Sequence, residues 1–165
     1  VLGSTNVAPS GYGSAVSSGR KGNDATSTCA TSPVANTLMA ALPSALRAVM
    51  KPMTIYTDNT AGGSDTASYV TKSVDYLPLL AEFEIFGSRS YANRAEKNYQ
   101  KQYDYYKAGN SKIKYRHNST SSTAHWWERS PCFNNSYYFC LVDTYGNAYY
   151  YNAWYSFGLA PAFRV

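Results

Sequence analysis

Residues 132–157 read CFNNSYYFCLVDTYGNAYYYNAWYSF, and this stretch carries most of the information in the sequence. Its 26 residues include seven tyrosines and four asparagines, with a single charged side chain, Asp143. Tyrosine offers a large, rigid contact area, while serine, asparagine and glycine adapt their hydrogen bonds, and this mixture is typical of antibody paratopes. An aromatic β-core is the alternative interpretation, because tyrosine also favours strands.

Strand geometry limits how many of these tyrosines can be buried together. Tyr149, Tyr150 and Tyr151 are consecutive, and neighbouring side chains on a strand point to opposite faces. One or two of them therefore face outward under either interpretation, and an exposed aromatic cluster usually marks an interaction site. The segment 145–147, Tyr-Gly-Asn, predicts the turn between two strands of a hairpin.

Sequence landmarks stand on both sides of this stretch. WWERSP precedes it at 126–131, Gly146 lies in its middle and GLAPAF follows at 158–163. This frame resembles the WWLRSP…G…GVRPAF pattern of the variable region in target proteins of diversity-generating retroelements, of bacterial and phage type. Glu128 and Ala160 stand where the pattern has Leu and Arg. Upstream, LLAEFEIFG at 79–87 resembles the family's LLSEAEVFG segment, so the resemblance covers residues 34–165.

The resemblance implies an α+β, C-type lectin-like fold, related to the formylglycine-generating enzyme fold, with a small antiparallel sheet and two or three helices. In that family a retroelement mutates the adenines of a template, and asparagine codons then vary without yielding Lys, Gln, Glu, Met or Trp. One of these five residue types, Trp154, occurs within 132–157. The implied function is recognition of a host receptor or surface target by a hypervariable surface on a phage particle (tail or fibre) or bacterial cell.

The resemblance also assigns residues to two roles. The variable, ligand-binding set is Asn134, Asn135, Tyr137, Tyr138, Leu141, Asp143, Tyr145, Tyr149, Tyr150, Tyr151, Asn152, Tyr155 and Phe157. The scaffold set is Trp126, Arg129, Gly146, Gly158, Pro161 and Phe163. The expected partner is an unknown protein or glycan on a target surface, and the chain could also form oligomers through an upstream part.

Composition argues against several other classes of protein. The net charge of +5 is modest, so a nucleic-acid partner is not predicted. No apolar run is long enough to span a bilayer. No carboxylate-rich loop predicts a calcium site, and no cofactor is expected. The spacing of the three cysteines and of His117 and His125 predicts no zinc site.

Two alternatives remain open at this level. The first is an enzyme on the formylglycine-generating type of fold, with Cys132 and Cys140 as candidate reactive thiols; otherwise these residues are small buried side chains. Nucleophile–base motifs and paired carboxylates are absent from the sequence, which favours a protein without catalytic activity. The second is a virion decoration protein with no diversified ligand.

The chain divides into a Gly/Ser/Thr-rich linker or N-terminal arm at 1–32 and a domain at 33–165, with the variable region at about 132–157. Because residue 1 is not methionine, we expect the arm to join something upstream. Periodicity and capping predict helices at 34–41, 44–50, 81–86 and 95–107. Leu46, Val49 and Met50 should face inward. Strands are predicted at 51–57, 69–80, 126–129, 138–143, 148–151 and 162–165, the last of them paired and buried.

Overall fold

The computed structural model of the protein describes residues 2–7, 39–59, 64–117, 119–153 and 155–165. This part of the chain is mixed α/β, with short helices and mostly antiparallel strands. The strands are β1 (Leu2–Val7), β2 (Met53–Asp58), β3 (Val70–Asp75), β4 (Lys114–Arg116), β5 (Ser119–Ala124), β6 (Trp126–Pro131), β7 (Tyr138–Val142), β8 (Ala148–Asn152) and β9 (Phe157–Leu159). The α-helices are α1 (Ser44–Val49), α2 (Glu82–Phe86) and α3 (Asp104–Lys107), and 3-10 helices cover Ala67–Tyr69 and Arg94–Asn98.

The largest sheet has five strands in the order β1-β9-β6-β7-β8. The pairing of β9 with β6 is parallel, and the other three pairings are antiparallel. Two separate hairpins, β2–β3 and β4–β5, complete the strands. In this order β6 is central and β8 lies at one edge. In the described residues, no helix has the length and apolar character needed to cross a membrane.

The core lies on both faces of β6, whose six residues are all buried. Trp127 packs on one face in a cluster with Leu79, Phe139, Leu141 and Leu159. Trp126 packs on the other face with Leu80, Ile85, Tyr106 and Val142. Because successive side chains alternate across a strand, the adjacent tryptophans serve two different parts of the core.

Helix α2 covers one face of the sheet and is fixed at both ends. The amide of Ala81, which precedes it, donates to Glu84 Oε2 at 2.9 Å, so that the side chain satisfies a backbone donor at the helix start. Gly87 ends the helix with φ of 70°, a conformation that glycine adopts at little cost. The short helix predicted at 81–86 is confirmed.

Several other predicted elements are confirmed. The strand at 51–57 corresponds to β2, and the first part of the strand predicted at 69–80 corresponds to β3. The three strands predicted at 126–129, 138–143 and 148–151 correspond to β6, β7 and β8, and the turn at 145–147 joins the last two.

The single helix predicted at 95–107 is wrong. A 3-10 helix ends at Asn98, and α3 begins only at Asp104. Between them the Tyr103 amide donates to Glu84 O at 2.9 Å, and the Gln102 amide group donates to Ile85 O at 3.0 Å. Hydrogen bonds to α2 therefore replace those that a continuous helix would make.

The strand predicted at 162–165 is also wrong. The last strand ends at Leu159, and beyond it there are two isolated bridges, Leu79 with Pro161 and Lys51 with Arg164. Phe163, which the resemblance assigns to the scaffold, is 46% exposed. The smaller Ala160 and Ala162 pack against the core there instead.

The N-terminal predictions are covered in part by the described residues. Residues 2–7 of the arm form β1, which pairs with β9 at the edge of the sheet. Residues 39–41 are helical, while 34–38 and 8–32 lie outside the described residues. The second helix is confirmed as α1, with Met50 buried, but Val49 is 53% exposed.

Candidate functional site

Strand β8 displays its tyrosines at the edge of the five-stranded sheet. Tyr149 and Tyr151 are exposed, and Tyr150 between them is half-buried. The backbone of β8 is paired along one side with β7, from Tyr138 opposite Asn152 to Val142 opposite Ala148. The alternation confirms that at least one of the three consecutive tyrosines faces outward.

A cleft of about 300 Å³ opens along this strand. The described residues that line it are Tyr138, Tyr149, Tyr150, Tyr151, Asn152 and Tyr155. All six belong to the set that the resemblance assigns to ligand binding. The cleft therefore offers aromatic faces, phenol hydroxyls and one side-chain amide, which suits a ligand with apolar surface and scattered polar groups.

Ring contacts hold the tyrosines of the cleft in fixed positions. Tyr151 lies edge-on to Tyr155, with centroids 4.5 Å apart, and Phe157 lies 5.5 Å from Tyr151. Tyr150 contacts Tyr138 at 5.1 Å. Such aromatic pairs contribute roughly 0.5–1.5 kcal/mol each beyond the area that they bury. The rings therefore support one another at the surface.

Tyr91 supports the cleft from outside the predicted set. Its ring meets that of Tyr150 edge-on, with centroids 4.7 Å apart, and burial raises the pKa of its hydroxyl. The sequence offers no signal for this contact, because Tyr91 lies 59 residues from Tyr150 in a segment without strand periodicity.

The loop at 132–137 carries three of the assigned residues. Tyr137 is 65% exposed, and Asn134 is exposed as well. The side chain of Asn135 accepts a hydrogen bond from the Tyr137 amide at 2.8 Å, and Cys132 donates its thiol hydrogen to Asn134 Oδ1 at 3.3 Å. Asn135 therefore shapes the loop, and Tyr137 is its most prominent displayed side chain.

The turn between β7 and β8 is held by Asp143. Its carboxylate accepts hydrogen bonds from the amides of Tyr145 and Asn147, both at 2.8 Å. Partial burial acts to raise its pKa, but these bonds hold the pKa of Asp143 below its ordinary value. Gly146 has φ of 87°, and Tyr145 beside it is 80% exposed. Asp143 is therefore a turn-forming residue, with Tyr145 displayed at the tip.

Two members of the assigned set do not lie on the surface as expected. Leu141 is fully buried, because its side chain packs in the core cluster with Trp127, Leu79 and Leu159. Phe157 is half-buried, and its ring lies 5.0 Å from that of Trp127. The assignment of Leu141 to a displayed surface is therefore wrong.

The scaffold set centres on Arg129, which is buried in β6. Its guanidinium donates to both carboxylate oxygens of Glu84, each at 2.6 Å, and to the carbonyl of Leu79 at 2.8 Å. Two further bonds reach Thr57 Oγ1 and the carbonyl of Tyr56. All five N–H donors of the guanidinium are thus satisfied. Arg129 ties β6 to α2 and to β2.

The other scaffold residues take up varied positions. Trp126 is buried, and Gly158 is buried in β9, where its amide donates to His125 O at 2.9 Å. Pro161 bridges to Leu79. The exposed Phe163 departs from its assigned role.

The two described cysteines are free and buried. Burial raises the pKa of the Cys132 thiol and raises that of Cys140 well above its ordinary value. A nucleophilic cysteine needs the thiolate form, which an environment of this kind disfavours.

The fold and the cleft together define a mixed α/β domain that displays an aromatic surface at the edge of its main sheet. The chain belongs to the family described as a domain of unknown function, DUF6273, which matches residues 34–165. Comparisons with the curated proteins and with the solved structures find no match.

Proposed function

We propose that the chain is a ligand-binding domain whose cleft along β8 recognises a protein or glycan on a target surface. One observation carries this proposal: the six described residues that line the cleft all belong to the set assigned to ligand binding from the sequence. Aromatic side chains supply most of the binding energy at many protein interfaces. The cleft would bury them against a ligand.

The division between displayed and buried side chains supports the same function. Trp126, Trp127 and Arg129 hold the core and the sheet, whereas Tyr137, Tyr145 and the outer tyrosines of β8 project into solvent. A surface of this kind tolerates substitution without loss of the fold. That property is what a diversified binding site requires.

We further propose that the fold is C-type lectin-like and that a retroelement diversifies residues 132–157. The landmark residues on either side of this region support it, because Trp126, Arg129 and Gly158 are buried while most assigned variable positions are at least partly exposed. Sequencing the coding locus tests this part directly. We expect a near-identical, asparagine-rich copy of the segment beside a reverse transcriptase gene, and its absence would contradict diversification.

Binding can be tested with a glycan array and a peptide-display library as probes. We expect the unaltered protein to bind a defined subset of the glycans on the array or of the peptides in the library. The triple variant Tyr149→Ser, Tyr151→Ser and Tyr155→Ser should lose that binding. The matched control is Tyr69→Ser, Tyr105→Ser and Tyr115→Ser, which removes three tyrosines of comparable exposure outside the cleft. Equal binding by the two triple variants would contradict a binding role for the cleft.

A further inference from the structure

Glu128 is buried in β6, and neither of its carboxylate oxygens has a hydrogen-bond partner among the described residues. The side chain is 1% exposed. Burying a carboxylate without a partner carries a large free-energy cost, because the charge loses its hydration and gains nothing in exchange. The buried carboxyl group of Glu128 must therefore either lie beside a cation or be protonated.

Two other potential ligands lie beside Glu128. Carboxylate oxygens of Glu82 and Glu128 and the sulfur of Cys140 lie within 4.8 Å of one another, and all three residues are buried. They come from α2, β6 and β7, and the sequence separates them by 46 and 12 residues. This separation explains why the spacing of cysteines and histidines gave no sign of the group.

The nearby cations already have partners. All five donors of Arg129 are engaged, two of them by Glu84, and Arg89 pairs with Asp65 at 3.0 Å. Three backbone amides, of Ser90, Tyr91 and Ala92, donate to the carboxylate of Glu82. These amides orient Glu82, while the two nearby arginines make their direct ion pairs with other carboxylates, Asp65 and Glu84.

We propose that Glu82, Glu128 and Cys140 form a binding site for a divalent cation of the zinc class. Two carboxylates and a thiolate match the oxygen and sulfur ligands that Zn²⁺ accepts. Ca²⁺ and Mg²⁺ prefer ligand sets made of oxygen alone. A cation bound between these three side chains would supply the charge that favours their ionised forms.

The position of this site suggests a structural role. Cys140 is paired with Tyr150 across β7 and β8, so a metal on its sulfur would tie the strand beneath the aromatic cleft to α2. The inference is independent of the proposed binding function, since the group lies in the core and takes no part in the cleft.

The test is a titration of the reduced, metal-stripped chain with Zn²⁺ alone, in competition with a chromophoric chelator. We expect one zinc per chain and a higher melting temperature when zinc is added. Affinity should rise with pH, since the ligands must lose protons to bind. With Co²⁺ as the probe, a thiolate-to-metal charge-transfer band should appear, whereas Ca²⁺ and Mg²⁺ should leave the melting temperature unchanged.

Two variants assign the ligands. Glu128→Gln and Cys140→Ser should each weaken zinc binding by about 100-fold, because loss of a group that only orients a ligand already costs about 10–100-fold. The matched controls are Glu96→Gln, Cys132→Ser and Cys29→Ser, which should bind zinc as the unaltered chain does. A charge-transfer band that persists in Cys140→Ser would overturn the proposal.

A bound proton on Glu128 is the competing explanation, and the same titration separates the two. In that case zinc would leave the melting temperature of the unaltered chain unchanged, and Glu128→Gln would alter neither zinc affinity nor the response to metal. This result would overturn the proposal even if one of the variants failed to fold, because the titration of the unaltered chain decides it.

Discussion

Strands β6 and β8 lie in one sheet, separated only by β7, yet they treat their side chains in opposite ways. In β6 every residue is buried, including the charged Glu128 and Arg129. In β8 the tyrosines alternate between half-buried and exposed, although their rings are less polar than the side chains of Glu128 and Arg129. Position in the sheet therefore overrides side-chain polarity. The central strand buries the charge of Arg129 because Glu84 pairs with it. The edge strand leaves Tyr149 and Tyr151 exposed, while Tyr91 packs on Tyr150 between them.

The largest effect is expected when the buried charge of Arg129 is removed from β6. Arg129→Met should lower the free energy of unfolding by about 3–5 kcal/mol, because the carboxylate of Glu84 would remain buried without its partner. Urea denaturation measures the loss. Arg116→Met, which alters an exposed arginine on β4, serves as the control. A loss no larger than that of the control would contradict the role assigned to the pair.

A second effect concerns Glu96, which is buried and accepts a hydrogen bond from Ser130 of β6. Burial raises its pKa from 4.5 to about 7, against the opposing effect of its hydrogen bonds. Between these pH values the folded state holds a proton that the unfolded chain releases, so stability falls as the pH rises through this window. The loss from this group is at most about 3 kcal/mol.

Melting temperatures measured from pH 4.5 to 8 test this expectation. Glu96→Gln should flatten the decline between about pH 4.5 and 7, because the amide does not titrate. The difference between the two curves isolates Glu96 from the other ionisable groups. Parallel curves for the unaltered chain and the variant would contradict the assignment.

The turn that joins β7 to β8 gives an intermediate effect. Gly146→Ala should cost about 1–2 kcal/mol for a side chain at positive φ. A further loss is expected because the new Cβ would lie 3.3 Å from Ile113 Cγ1. Gly109→Ala is a matched control, with φ of 83° and no atom within 4 Å of the new Cβ. Equal losses of stability in the two variants would show that the Ile113 side chain moves aside at no cost.

The smallest effect on stability is expected for the exposed tyrosines. Single Tyr→Ser substitutions at Tyr137 and Tyr145 should each change stability by no more than about 0.5 kcal/mol. Tyr149→Ser also removes one ring contact, the stacking on Tyr150. Tyr150 should cost more, because its ring contacts those of Tyr91 and Tyr138. Thermal melting of the four variants checks this ranking. Large losses at all four would indicate an aromatic core in place of a displayed surface.

Local sequence was enough to predict the elements whose signals are short-range. The turn around Gly146, the short helix ending at Gly87 and the strands β6, β7 and β8 depend on residues close in sequence, so propensity and alternation locate them. The displayed tyrosines of β8 follow from the same alternation. The resemblance assigned Trp126 and Arg129 to the scaffold, and both side chains are buried.

Tertiary structure alone decided the rest, since those features depend on contacts between distant residues. Hydrogen bonds from Gln102 and Tyr103 to α2 interrupt the helix that periodicity predicts at 95–107. Leu141 is buried because Leu79 and Leu159, from distant parts of the chain, pack on the same face of the sheet, and alternation within β7 does not contain that contact. The group of Glu82, Glu128 and Cys140 has the same origin, since three elements far apart in the chain bring these side chains together in the core.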